Sequence, residues 1–90
     1  MQQCHVFISG NVQGVGYRYF VKSHARKLGI TGWVRNTEDG GVEAVLQGEK
    51  EMIDVILEQC RKGPFLAEVE HVGFDWEEEI ESYTEFLIST

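Results

Sequence analysis

Five residues of this chain have the types and spacing that chemistry on a small anion would use: Gly10, Gly14, Gly16, Arg18 and Asn36. The first four stand in the run Ser9-Gly10-Asn11-Val12-Gln13-Gly14-Val15-Gly16-Tyr17-Arg18, directly after a short apolar stretch. Glycine lets the backbone take positive φ and lets a ligand come close. The start of a helix offers unpaired N–H groups and the positive end of the macrodipole. A strand, a glycine-rich loop and a helix opening with Arg therefore make an anion cradle. The same residues also suit a plain strand-to-helix turn with Arg18 in water. Neither a G-K-[ST] ending nor the G-x-G-x-x-G spacing is present, so the run is neither a Walker loop nor a dinucleotide fingerprint. Asn36 closes Gly32-Trp33-Val34-Arg35-Asn36, just before a turn. Its amide has both a donor and an acceptor and can hold a water; capping the turn is its local alternative.

The elements that must position these residues are readable from periodicity. Residues 4–9 are short, apolar and β-prone, with Val6 and Ile8 on one face and His5 and Phe7 on the other. Residues 18–28 read as a helix, since Val21, Ala25 and Leu28 follow i, i+4, i+7 spacing and Gly29 stops it. A second strand spans 30–36, and Thr37-Glu38-Asp39-Gly40-Gly41 is hairpin-turn chemistry. A third strand spans 42–47, broken by Gly48. The second helix covers 49–62, with Ile53, Ile56, Leu57 and Cys60 as its apolar stripe and Gly63-Pro64 as its end. Residues 67–76 alternate as a fourth strand, and 83–88 read as a last one. The order is βαββαβ plus one short extra C-terminal strand. That predicts an α+β, ferredoxin-like sandwich: an antiparallel sheet with two helices on one face. Val6, Ile8, Val21, Ala25, Leu28, Val34, Val42, Ala44, Ile53 and Leu57 are the expected core.

Ninety residues suffice for one small domain, so a single domain over 1–90 is expected. A 42% hydrophobic content is that of a globular chain. No apolar run approaches the ~20 residues that span a bilayer, and Met1-Gln2-Gln3-Cys4-His5 lacks the form of a signal peptide. A cytoplasmic protein with no membrane partner is expected. Cys4 and Cys60 sit in no C-x-x-C or zinc spacing and read as small buried thiols without a disulfide. His5, His24 and His71 form no metal motif. Glu77-Glu78-Glu79 with Glu81 reads as a solvated loop rather than a metal site.

The charge is unevenly spread. Residues 1–37 hold no Asp or Glu and five bases, Arg18, Lys22, Arg26, Lys27 and Arg35. All 15 acids lie in 38–90, against Lys50, Arg61 and Lys62, for a net −7. A local positive field can draw in a small anion. The overall acidity argues against a nucleic-acid partner, which would need many Lys and Arg contacts.

Taken together, two signatures resemble those of the acylphosphatase family: Ile8 to Arg18, and Gly32-Trp33-Val34-Arg35-Asn36 followed by Gly40, Val42 and Gly48. The resemblance runs over essentially the whole chain; Tyr17 stands where the family often has Phe or Met. It implies hydrolysis of the carboxyl–phosphate anhydride of small acyl phosphates, with inorganic phosphate as product and competing ligand. It implies that Arg18 and the backbone N–H groups of Gly14, Val15, Gly16, Tyr17 and Arg18 hold the phosphoryl group, and that Asn36 orients the attacking water. No cofactor and no metal enter this scheme, and a monomer is expected. The physics is consistent with it. Phosphoryl transfer needs positioning and charge stabilisation, a guanidinium takes two phosphate oxygens at once, and a leaving carboxylate of pKa about 4 needs little acid help.

Three rivals remain on sequence grounds. RNA-recognition domains share the βαββαβ order, but their aromatic platform belongs on the third strand, which here reads Val42-Glu43-Ala44-Val45-Leu46-Gln47. A regulatory small-anion-binding domain is the second. The third is an N-terminal part of a larger carbamoyl-transfer maturation protein; a free-standing enzyme is the expectation.

Overall fold

The chain switches between strand and helix where a glycine-rich or Gly-Pro break ends one apolar period and starts another. The computed structural model describes residues 1–78 and 81–89. Its elements are β1 (Gln2–Asn11), α1 (Tyr17–Lys27), β2 (Thr31–Asn36), β3 (Val42–Gly48), α2 (Lys50–Lys62), β4 (Glu68–Glu77) and β5 (Phe86–Ile88). The strands form one sheet in the order β4-β1-β3-β2-β5.

Strand alternation sorts the side chains onto two faces. Cys4, Val6 and Ile8 of β1 are buried with Val34 of β2 and Val42, Ala44 and Leu46 of β3. The helices close this face with Val21, Ala25, Ile53, Ile56, Leu57 and Cys60 in one continuous core. Of the expected core residues only Leu28 is less than fully buried, and it still packs against that core. Central strand β3 is buried along its whole length, because its other face is covered as well.

That second cover comes from the chain beyond β4. Gln47 Nε2 donates to the carbonyl of Glu81 at 2.5 Å, and the N–H of Tyr83 donates to Gln47 Oε1 at 3.0 Å. Gln47 Nε2 also donates to Gln3 Oε1 at 2.6 Å, and Gln3 Nε2 donates to Glu77 Oε1 at 2.6 Å. This amide ladder is why Gln3 and Gln47 can be buried.

Three expectations need correction. The sheet is mixed, not antiparallel throughout: β5 pairs with β2 in parallel, Gly32 facing Phe86 and Val34 facing Ile88. The chain leaves β4 and crosses the sheet at the end where β2 begins, so β5 must run the same way as β2. It also starts at Phe86 rather than at residue 83, since residues 81–83 are spent on the crossing. The acidic run is likewise not simply a solvated loop. Glu77 belongs to β4, is bonded to Gln3, and lies 3.6 Å from His5 Nδ1; Glu79 lies outside the described residues. Among the described residues no helix is long and apolar enough to cross a membrane.

Candidate active site

Topology alone gathers the singled-out residues at one end of the sheet. β1 and β2 are both antiparallel to β3, so they run in the same direction. β1 therefore delivers the loop at 12–16, and β2 delivers Asn36, to the same end. The register places Ile8, Val42 and Asn36 in one row. Ile8 and Val42 are buried under the helices, so Asn36 shares the helix-covered face. α1 begins at that end and packs on β2, with Arg18 in its first turn.

The loop is held by what it buries and opened by what it leaves out. Val12 and Tyr17 are buried, and Val15 packs against the core, while Gly14 and Gly16 are exposed. Gly14 (φ 73°) and Gly16 (φ 79°) take the left-handed conformation, in which successive N–H groups can converge on one side as a nest. A Cβ at either would meet nothing within 4 Å, so neither glycine is packed against another part of the fold. α1 has no side-chain cap, and its first bonded amide is that of Phe20, which donates to Gly16 O at 3.0 Å. Among the described residues, no group accepts from the N–H groups of residues 14–18.

Arg18 is half-buried and has no ion-pair partner among the described residues. Asn36 Oδ1 is buried, and among the described residues no group donates to it. Leaving such an acceptor unsatisfied costs about 1–3 kcal/mol, which a small ligand with an O–H would relieve. Tyr17 contributes backbone only. Its hydroxyl points into the core and donates to Cys60 O at 2.6 Å. Burial, with the contact to Cys60, pushes the phenol pKa upward.

One contributor was not legible as such in the sequence. Gln13 Nε2 donates to Thr37 O and to Gly41 O, both at 2.8 Å. It thereby pins the loop to the hairpin that follows Asn36. Its signal was a long amide side chain inside an otherwise small-residue loop.

Other polar features lie elsewhere. On the sheet face opposite the helices His5 Nε2 meets Glu43 Oε2 at 2.6 Å, and Arg35 Nε donates to Glu43 Oε1 at 2.7 Å. A groove of about 550 Å³ lies beside them, lined by Gly32, Trp33, Arg35, Tyr83 and Leu87 among others, and none of the singled-out loop residues borders it. Cys4 and Cys60 are buried free thiols.

The architecture is thus a ferredoxin-like α+β sandwich whose β1–α1 junction carries unbonded amides and, in the first turn of α1, an arginine without an ion-pair partner among the described residues. Comparison with known proteins narrows this. The acylphosphatase family model matches residues 4–88. An acylphosphatase of Roseiflexus sp. is 49% identical over 77 residues, 86% of this chain and 83% of its own length. The crystal structure of acylphosphatase from Bacillus subtilis superposes with a TM-score of 0.97 at 32% identity, covering 100% of both chains. HypF, in its phosphate- and nucleotide-bound form, matches with a TM-score of 0.88 at 27% identity over 99% of this chain but only 12% of its own. The chain belongs to the acylphosphatase family, and it is an acyl phosphate hydrolase.

Proposed function

We propose that this enzyme hydrolyses the carboxyl–phosphate anhydride of small acyl phosphates by in-line attack of a water held by Asn36. The observation that carries this reading is the unsatisfied Asn36 Oδ1 on the face where α1 begins without a cap. The dianionic phosphoryl group docks on the N–H groups of Gly14, Val15, Gly16, Tyr17 and Arg18, with the Arg18 guanidinium taking two of its oxygens. A water donating to Asn36 Oδ1 keeps a lone pair for phosphorus. The water oxygen bonds to phosphorus as the bond from phosphorus to the acyl oxygen breaks. The acyl group leaves as a carboxylate, and the water proton passes to a phosphoryl oxygen, giving dihydrogen phosphate. The stable leaving group explains why no His, Asp or Glu is needed beside the loop. Residues 1–37 hold no acid, so neither the loop nor the strand that ends at Asn36 brings a carboxylate of its own to the substrate.

The test is benzoyl phosphate hydrolysis by the wild type and by Arg18→Ala, Arg18→Lys and Asn36→Ala. Each variant is expected to lose at least about 100-fold in kcat/KM. Lys is expected not to rescue position 18, because a point ammonium lacks the bidentate fork. Wild-type turnover in either Arg18→Lys or Asn36→Ala would overturn the assigned role.

A further inference from the structure

We infer that Gln13 is a positioning residue for catalysis, setting the separation between the phosphate-holding loop and Asn36; this rests on the reading of the site just given. The argument begins with the hairpin. Thr37 N–H donates to Gly41 O at 3.0 Å, and Gly40 N–H donates to Thr37 O at 3.3 Å. Gly41 N–H also donates to Thr37 Oγ1 at 3.0 Å, and the Thr37 hydroxyl bonds to Asp39 Oδ1. The turn is therefore a closed, self-bonded ring. The two carbonyls at its base, Thr37 O and Gly41 O, each have a second lone pair, and both of these are taken by the single Gln13 amide nitrogen.

An amide NH2 has two hydrogens, and both are spent here. Gln13 precedes Gly14, the first amide of the cradle, and Thr37 follows Asn36. One side chain thus joins the residue next to the phosphate nest to the residue next to the water-binding amide. Among the described residues no backbone hydrogen bond between the loop at 12–16 and the hairpin at 37–41 duplicates this link. In-line attack is steep in distance: a misplacement of about 1 Å costs on the order of 100-fold in rate. Without the clamp each half of the site keeps its own local geometry, the nest through Val12, Val15 and Tyr17, and Asn36 through the β2–β3 ladder. Their mutual distance is then held only indirectly, through the β1–β3 pairing and the shared core, and the loop tip at Gln13 and Gly14 loses its direct tie to the hairpin.

The role predicts a particular kinetic pattern. Gln13→Ala is expected to lower kcat for benzoyl phosphate by about 10- to 100-fold, while inhibition by inorganic phosphate changes far less, because the nest survives. Gln13→Glu keeps the shape but at neutral pH offers no hydrogen to either carbonyl. It is expected to be impaired near pH 7 and to recover relative to wild type below about pH 5, where the protonated carboxyl regains one O–H donor. Thermal unfolding on the same samples corrects all rates to folded molecules. Wild-type kcat in Gln13→Ala would overturn the proposal. So would a Gln13→Glu activity ratio that is flat with pH, since it assigns the loss to general loosening rather than to the donor. Arg18→Ala and Asn36→Ala run alongside. If those two retain activity, the site itself is misread; if they are impaired and Gln13→Ala is not, only the clamp fails.

Discussion

The Tyr17 hydroxyl donates to the carbonyl of Cys60 at 2.6 Å, tying the first turn of α1 to the last turn of α2. Both groups are buried, and the carbonyl belongs to a helix end that lacks intrahelical donors. The tie fixes the helix start that carries Arg18 without placing any side-chain atom in the cradle.

Tyr17→Phe is therefore expected to cost about 1–3 kcal/mol, the penalty of leaving the Cys60 carbonyl unsatisfied. For a chain of this size each kcal/mol lowers Tm by roughly 4–8 °C. Benzoyl phosphate turnover per folded molecule is expected to stay at the wild-type level. A fall in kcat without a fall in Tm would mean that the hydroxyl acts in the chemistry.

Asn36→Asp separates water positioning from turn capping. Asp keeps the size and an acceptor and caps a turn as well as Asn does. It also removes the N–H donors and brings a negative charge toward the phosphoryl group. A folded, poorly active variant is expected, with kcat reduced by at least about 10-fold. Undiminished kcat in a folded sample returns Asn36 to a structural role.

Glu43 gives the fold an acid-sensitive contact. Burial pushes its carboxyl pKa upward, but hydrogen bonds from Arg35 and His5 outweigh this and hold it below its ordinary 4.5. A carboxylate with a lowered folded pKa stabilises the fold above the unfolded pKa, and that contribution is lost as pH falls through the folded value. Glu43→Gln cannot titrate. Its deficit relative to wild type is expected to be largest near neutrality and to shrink below about pH 4.5. Urea unfolding across that window checks it; a deficit that stays constant with pH refutes the contact's contribution.

The thiols are expected to be bystanders. Burial pushes Cys4 up to about 12 and Cys60 up to about 11, so neither is a thiolate at neutral pH. A thiol-specific disulfide reagent is expected to leave the native protein unlabelled and to label both cysteines in denaturant. Fast labelling of the native protein, or a trapped phosphocysteine during turnover, counts against this.

Much of the architecture follows from local period alone. Val21 and Ala25 in α1, and Ile53, Ile56, Leu57 and Cys60 in α2, are buried as their spacing requires, because a helix can bury only one stripe. The paired signatures around Arg18 and Asn36 were likewise legible, since a glycine-rich junction before an arginine and an Asn before a tight turn are local chemistry. That the two lie at one end of the sheet on one face was not local. It follows from β1 and β2 both running antiparallel to β3, which is a property of strand pairing between distant segments. The same holds for the parallel β5, forced by a crossing at one end of the sheet, and for Glu77, drawn from an apparently solvated acidic run into the Gln3 contact. Gln13 shows the division most sharply. Its sequence position says only that an amide sits in a glycine-rich loop. The two carbonyls it satisfies belong to residues 24 and 28 positions away, and only the closing of the β-sheet brings those acceptors within reach of its two hydrogens.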